Sequence, residues 1–322
     1  MSAVGIPLNP GRDRSQPGLA KMIDQPEARM TELNLTQAVE KFALVTCHLS
    51  DDDLEREWTW RAYSEGVRFA LLRTYEELRT LAAVMIAERA VKGAPTTTTH
   101  HALAQYHAAY RDLQVLLVGL DDALLNQPPA RDQWPLRVIL GHIMAAEREF
   151  FARIWYAVQQ VRRPVAEDEI APKAVEMSAA EVAEFVGSFE DFERTMNRLR
   201  LTGIMAYFDT LHKRVLRELT DIKGFELDAE SLWWEETPFT VEFRLHRLDS
   251  HLRQHTVQIE KTLEALVGPP SETRRLLRLI YAALADVDSI IVGDWGFGKE
   301  QRRELAGKIS LRADEIAAIF ER

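Results

Sequence analysis

The sequence holds a single cysteine, Cys47, in 322 residues, so no intrachain disulfide can form. Scarce cysteine is typical of proteins from a reducing compartment, and we expect a cytoplasmic protein. No apolar run approaches the roughly 20 residues that a membrane-spanning helix needs. The N-terminus also lacks the basic start and apolar core of a secretory signal. The sequence therefore predicts neither a secreted nor a membrane protein.

Concentrated positive charge is absent as well. The formal net charge is −10, and the 40 Lys and Arg residues are scattered among 50 Asp and Glu residues. Proteins that bind nucleic acids generally carry a basic stripe, so no nucleic-acid partner is expected. The glycines of segment 293–298 superficially resemble a phosphate-binding loop, but no strand is predicted before them.

Alternating apolar and polar runs of the kind that predict β-strands are missing too. What the chain has instead is long stretches with apolar residues at helical spacing, separated by short breaks that contain Gly or Pro. The pattern predicts an all-α fold, and short connections between long helices are typical of bundles. The predicted helices cover approximately 36–48, 65–91, 100–125, 136–161, 178–201, 204–222, 241–267, 272–292 and 299–321, with a break at Gly203 and an acidic loop at 164–172.

The breaks divide the chain into four predicted parts. Residues 1–29 contain four prolines and no periodicity, and we expect a flexible tail. Residues 30–95 are predicted to form a helical pair, residues 96–268 a four-helix bundle, and residues 271–322 a second helical pair. The Gly-Pro-Pro sequence just before the last part is the clearest boundary in the chain.

Two histidines, His251 and His255, lie four residues apart in one predicted helix. That spacing puts both side chains on one helix face, one turn apart, where they can bind a single divalent metal ion. A third candidate, His142, lies on another predicted helix. The remaining histidines that we considered are expected to be solvated or hydrogen-bonded locally: His100, His101, His107, His212 and His246.

These segments resemble the DinB-like (YfiT-like) superfamily of four-helix bundles over roughly residues 98–268. The stretch from Trp134 to His142 resembles the second helix of the family, and two further stretches, 205–222 and 247–263, resemble the third and fourth. The resemblance implies a bundle with a long crossover. It also implies that His142, His251 and His255 hold a divalent metal ion and leave one coordination position open.

Three neutral imidazoles with an open position suit Zn²⁺, Ni²⁺ or Fe²⁺. Such a metal lowers the pKa of a bound water toward about 7, which indicates a hydrolase, or binds a thiolate directly. The second route, which the resemblance to thiol-using members implies, indicates a transferase or isomerase that acts on a small molecule with a low-molecular-weight thiol. Glu147 and Asp249 are the candidates for a general base. Together with Gln258, they are also candidates for hydrogen bonding to a metal-bound imidazole, although both acids could instead form surface helix pairs.

A different class of function stays open, namely a non-catalytic helical scaffold or dimerisation module in which a metal only braces the bundle. The flanking segments echo the central ones: Leu72 stands at the position of His142, while Ser310 and Asp314 stand at those of the histidine pair. The echo predicts a second, degenerate bundle without a metal site. The apolar faces of the flanking pairs could also be buried on the central bundle or across a homodimer interface.

Overall fold

The computed structural model describes residues 34–93, 96–164, 174–233 and 237–321, and the predicted tail and nearly all of the predicted acidic loop lie outside them. The described residues contain ten α-helices and two small sheets, so the all-α class is confirmed. The helices are α1 Leu35–Thr46, α2 Val67–Lys92, α3 Thr98–Leu117, α4 Leu136–Arg162, α5 Ala179–Val186, α6 Phe189–Arg198, α7 Leu201–Leu219, α8 Val241–Val267, α9 Glu272–Ile291 and α10 Lys299–Phe320.

The strands are two or three residues long. An antiparallel pair joins β1 (Thr59–Trp60) to β2 (Tyr63–Ser64). In the second sheet, β3 (Ala174–Glu176) runs parallel to β4 (Glu230–Leu232), which pairs with β5 (Phe239–Thr240) in antiparallel fashion. Strands this short cannot show an alternating pattern in the sequence, which explains why none was predicted.

Local capping signals set several helix ends. Ser178 accepts from the Glu181 amide, and the Glu181 carboxylate accepts from the Ser178 amide, a capping box that starts α5 as its sequence indicates. Thr240 caps α8 through the Phe243 amide, and Ser271 caps α9 in the same way. Helix α8 begins and ends where the sequence predicted, so the histidine pair lies near its middle.

Three predicted boundaries are wrong, and glycine is involved each time. Helix α3 ends at Leu117 rather than near 125, because Gly119 takes a φ of +65° and a short 3₁₀ turn follows. The stretch 178–201 is two helices, split at Gly187 with a φ of +89°. Gly203 was taken as a break, yet it lies inside α7, where a Cβ would come within 2.9 Å of Leu199 Cδ2. There the glycine permits close packing instead of ending a helix.

The apolar side chains form two cores. We call the first bundle the helices α3, α4, α7 and α8, whose core also receives side chains from α5 and α6. We call the second bundle the helices α1, α2, α9 and α10, which share a separate core around Phe42, Leu78, Leu284 and Ile309. Burying each such side chain contributes about 1.5–3 kcal/mol, so these two cores supply most of the stabilisation of the fold.

The two bundles meet along α9, which packs against α2 on one side and against α3 on the other. Val115 of α3 belongs to the core of the second bundle, and Val292, just after α9, belongs to that of the first. The N-terminal and C-terminal helices therefore pack on each other, and α9 is the shared wall. No described helix combines the length and apolar composition required to cross a lipid bilayer.

Candidate metal centre

The packing of α4 against α8 brings His142, His251 and His255 together, and we call this group the histidine triad. His142 Nε2 lies 3.3 Å from His251 Nε2, and the ring centroids of the three imidazoles are 4.5–5.2 Å apart. One ligand atom from each residue lies within 4.8 Å of the others. Among the described residues, this is the one group of three or more potential ligands that meets this distance.

One pair of triad nitrogens, on His142 and His251, has the spacing of two ligands of one tetrahedral ion. Ligand nitrogens held at 2.0–2.1 Å from a tetrahedral ion lie roughly 3.4 Å apart, close to the separation of the two Nε2 atoms. His255 Nδ1 lies 2.7 Å from Gln258 Oε1, an acceptor, so Nδ1 carries the proton and the Nε2 lone pair stays free for a metal. Gln258 is therefore the hydrogen-bond partner that orients His255.

Burial and neighbouring charges favour the neutral form of two of the imidazoles, His251 and His142. Burial, followed by the neighbouring imidazoles His255 and His142, lowers the pKa of His251 to about 3. Burial and then His255 also lower the pKa of His142. Metal-bound histidines must be unprotonated, so at neutral pH these two rings are in the protonation state that a metal requires.

One side of the triad opens to solvent. His255 is buried, His251 is half-buried and His142 is exposed. The rim is aromatic: the Trp134 ring lies 5.4 Å from His142, and the Phe150 ring lies 6.0 Å from His251 and 5.2 Å from Trp233. A metal held by the triad would thus keep a position that a small molecule can reach between aromatic side chains.

The structure places the two candidate acids away from this opening. Asp249 accepts a hydrogen bond from Arg253 Nε at 2.8 Å and forms an i,i+4 pair on the surface of α8. Glu147 lies five residues after His142, about 140° around α4, and is buried with 3% of its surface exposed. Its Oε1 atom faces His212 Nδ1 at 3.7 Å. Glu147 therefore belongs to the interior of the first bundle.

Glu147 lies at the end of a buried polar chain that sequence reasoning missed, although its 3.7 Å separation from His212 is too long for a hydrogen bond. His212 Nε2 lies 2.9 Å from His107 Nδ1, and His107 Nε2 lies 3.0 Å from Asp288 Oδ2. Arg111 Nη2 donates to the same Asp288 oxygen at 2.8 Å. His107 and His212 were expected to be solvated or locally bonded, but both are buried and bonded across helices. We call Glu147, His212, His107 and Asp288 the buried polar chain.

The chain has a defined direction. Burial alone would raise the pKa of Asp288, but the larger combined effect of Arg111 and His107 lowers it below its usual value. Asp288 is therefore an ionised carboxylate that accepts a hydrogen bond from His107 Nε2. Burial lowers the pKa of both imidazoles, which are therefore neutral, so His107 Nδ1 accepts from His212 Nε2 and His212 Nδ1 is left as an acceptor. Burial raises the pKa of Glu147 well above its usual value, so a protonated carboxyl faces that acceptor.

One signal in the sequence could have indicated part of this chain. His107 and Arg111 are four residues apart on α3, so they share a helix face and can bind one acid. Asp288 and Glu147, however, come from α9 and α4. Only the packing of four helices from both bundles brings these acids to that face.

The fold and the site together define a helical-bundle protein with a three-histidine metal-type centre between two of its helices. Residues 105–259, which include the whole triad, match the family model of the DinB superfamily. This central segment of the chain is therefore DinB-like, and the resemblance identified from the sequence is confirmed. Searches of curated proteins and of solved structures give no significant match.

Proposed function

We propose that the protein binds one divalent metal ion through the histidine triad and uses it to act on a small molecule. The observation that carries the proposal is the convergence of three ring nitrogens on α4 and α8, with one ligand, His142, exposed to solvent. The all-nitrogen ligand set suits Zn²⁺, Ni²⁺ or Fe²⁺. When bound, such an ion supplies either a water of lowered pKa or a direct ligand position for a thiolate.

The residues of the chain itself have distinct roles in this proposal. The histidine triad holds the ion, and Gln258 fixes the tautomer of His255. Trp134, Phe150 and Trp233 form apolar walls that would limit the access of water to a bound substrate. Two reaction types agree with this arrangement, a metal-dependent hydrolysis and a transfer that uses a low-molecular-weight thiol.

The placement of the two acids favours the thiol-dependent transfer. Zinc hydrolases commonly place a carboxylate general base beside the metal-bound water. Here Glu147 is turned toward His212 and Asp249 is engaged with Arg253, so neither candidate base supports that arrangement. A thiol that coordinates the metal is deprotonated by the ion itself and needs no separate base.

Metal content is the first test. After reconstitution with Zn²⁺, Ni²⁺ or Fe²⁺ and removal of free ion, elemental analysis should find about one equivalent per chain in the wild-type protein. His255→Ala should lose the metal, and His246→Ala, an exposed histidine on the same helix, should retain it. Both variants should keep the helical circular dichroism, because the cores carry the fold. A wild-type protein that retains none of the three ions would overturn the proposal.

The second test separates the reaction types. The metal-loaded protein is given a model electrophile with and without a thiol such as cysteine or glutathione, and thiol consumption is followed. Chelator-sensitive consumption of thiol that disappears in His255→Ala supports the transferase. Thiol-independent hydrolysis of an ester by the loaded protein supports the hydrolase instead. A metal that resists chelation, with neither activity, indicates the scaffold function in which the ion only braces α4 against α8.

A further inference from the structure

A cavity of about 270 Å³ lies where the chain passes from the first bundle to the second. The end of α3, the end of α8, the turn at 268–270 and the start of α9 enclose it, and we call it the elbow cavity. The wall from α3 is aliphatic and includes Val115, whereas the wall from α8 combines Leu263 and Val267 with Glu260 and Glu264. Val267 is 58% exposed, so the other described residues leave an apolar surface uncovered at this point.

The elbow cavity is separate from the metal centre. Leu263 lies eight residues after His255 on α8, which corresponds to about 12 Å along the helix axis and about 80° around it. Glu264, on the same wall, lies nine residues after His255, about 180° around the helix. A ligand in the elbow cavity would therefore contact α8 on another face from the histidine triad.

The wall from α9 carries positive charge. Arg278 is neutralised there, since it donates to Asp112 Oδ1 at 2.7 Å and to Glu260 Oε1 at 2.8 Å. Arg274 donates to the uncharged carbonyl of Val118 at 2.6 Å, and Arg275 is exposed. Within the described part of the chain, neither of these two arginines has an ion-pair partner within 4.0 Å.

The lining of the elbow cavity carries three arginines and two glutamates, Glu260 and Glu264, so its formal charge is +1. Glu260 and Asp112, which lies outside the lining, both pair with Arg278, and the guanidinium groups of Arg274 and Arg275 are left with Glu264 as the remaining carboxylate of the lining. A guanidinium group binds a carboxylate with paired N–H donors, and this geometry favours arginine wherever a planar acid is recognised. An aliphatic wall opposite guanidinium groups suits a molecule with an apolar body and one acidic end.

We propose that the elbow cavity binds a small aliphatic monocarboxylate, with its chain on the α3 and α8 walls and its carboxylate at Arg274 and Arg275. A cavity of this volume accommodates roughly nine or ten non-hydrogen atoms, if each occupies about the volume of a water molecule. Because the cavity walls belong to both bundles, the bound acid would also stabilise the contact between the two bundles. The site is independent of the proposed metal-dependent function.

Octanoate, with its ten non-hydrogen atoms, is the probe for a calorimetric titration of the full-length protein. We expect octanoate to bind more tightly than octanol, and octylamine not to bind. The double variant Arg274→Gln/Arg275→Gln should weaken octanoate binding by roughly tenfold or more and leave octanol binding nearly unchanged. Arg217→Gln, an exposed arginine on α7, is the matched control and should bind octanoate as the wild type does.

Two further variants keep the result unambiguous. Leu120→Trp, which adds volume at the cavity wall, should reduce the binding of both octanoate and octanol while the circular dichroism stays helical. His255→Ala should bind octanoate normally, which separates this site from the metal centre. Equal binding of octylamine and octanoate, or normal octanoate binding by the double arginine variant, would overturn the proposal. So would loss of octanoate binding in His255→Ala, because the acid would then be a ligand of the triad.

Discussion

The two bundles place different polar groups at matching positions between their helices, an ion pair in the second bundle and a histidine cluster in the first. In the second bundle, the Lys41 ammonium on α1 lies 2.6 Å from Asp314 Oδ1 and 3.0 Å from Ser310 Oγ on α10. In the first bundle, the interface between α4 and α8 instead holds the imidazoles of the histidine triad. Ser310 and Asp314 stand at the positions that the sequence matches to the histidine pair. The second bundle thus places a lysine ammonium group at this point, whereas the first bundle places three histidines that could hold a metal ion.

A second ion pair extends the contrast. Arg312 on α10 donates to Glu77 Oε2 and to Thr74 Oγ1 on α2, both at 2.8 Å, and the side chains of this ion pair are only 5% and 12% exposed. A charged side chain whose hydrogen bonds are made within the protein does not require a ligand from solvent. Histidine nitrogens that face one another can instead lower their free energy by binding a metal ion. The polar contacts between α10 and α2 in the second bundle are thus ion pairs within the chain, whereas the facing histidines of the first bundle are the candidate metal ligands.

Truncation should have the largest effect on this comparison. Removing residues 271–322 takes away α9 and α10 and so exposes the apolar faces of α1 and α2, which cannot close a core alone. We expect residues 35–90 to lose most of their protection from hydrogen exchange. The histidine triad in the truncated chain should still be detectable by metal binding. If residues 35–90 stay as protected as before, the idea of a separate second bundle is wrong.

The next effect concerns the buried ion pair. Arg312→Ala takes away the partner that Glu77 has on α10 and leaves it only Arg73, whose Nη2 lies 3.1 Å from Glu77 Oε1 on the same helix. We expect the free energy of unfolding to fall by about 1–3 kcal/mol in urea denaturation. Arg303→Ala, which breaks an exposed pair with Glu300 on the same helix, should cost less than about 1 kcal/mol. The double variant Arg312→Met/Glu77→Leu should recover most of the loss. Equal losses in Arg312→Ala and Arg303→Ala would show that burial of the pair is unimportant.

The buried polar chain gives a smaller effect that depends on pH. Burial raises the pKa of Glu147 in the folded state, while the unfolded value is about 4.5. As the pH rises, the folded state therefore releases this proton at a higher pH than the unfolded state does. The contribution of Glu147 to the free energy of unfolding falls as the pH rises from the unfolded pKa toward the raised folded pKa. Glu147→Gln cannot lose this proton. Its free energy of unfolding should therefore rise relative to that of the wild type by up to about 1.4 kcal/mol per pH unit over this range.

Denaturation series at several pH values measure this difference. Burial lowers the pKa of His212, so its own contribution to stability is lost as pH falls below about 6.5, and Glu147→Gln should leave that acid-side loss in place. Glu149→Gln, a partly exposed acid on the same helix, is the control and should follow the wild-type curve. If the stability difference between Glu147→Gln and the wild type does not change with pH, Glu147 does not hold a proton in the folded protein.

The smallest effect is expected at Asp249. It forms an exposed pair with Arg253, so Asp249→Asn should change the free energy of unfolding by no more than about 0.5 kcal/mol. The metal content should be unchanged, since the pair lies apart from the triad ligands. A clear fall in metal content would instead give Asp249 a part in orienting the metal-bound imidazoles.

Helical periodicity was sufficient to predict the all-α class and the limits of α8, because a long amphipathic stretch between Thr240 and Gly268 has clear signals at both ends. The triad was also accessible to sequence reasoning, since two of its members share one helix face. The burial of Glu147 beside His212 could not be predicted from the sequence, because His212 lies on another helix, α7. A buried network exists only once the helices have packed, and spacing along one helix carries no information about its partners on others.

The shared wall formed by α9 has a consequence for biosynthesis. Helix α2 ends at Lys92 and α9 begins at Glu272, so 180 residues separate the two halves of the second core along the chain. At a translation rate of about 5–20 residues per second, α1 and α2 leave the ribosome about 10–40 s before their partners. During that interval the first bundle can fold, while the apolar faces of α1 and α2 stay uncovered on the nascent chain. We therefore expect chaperones to bind α1 and α2 during this interval and to release them once α9 and α10 have emerged.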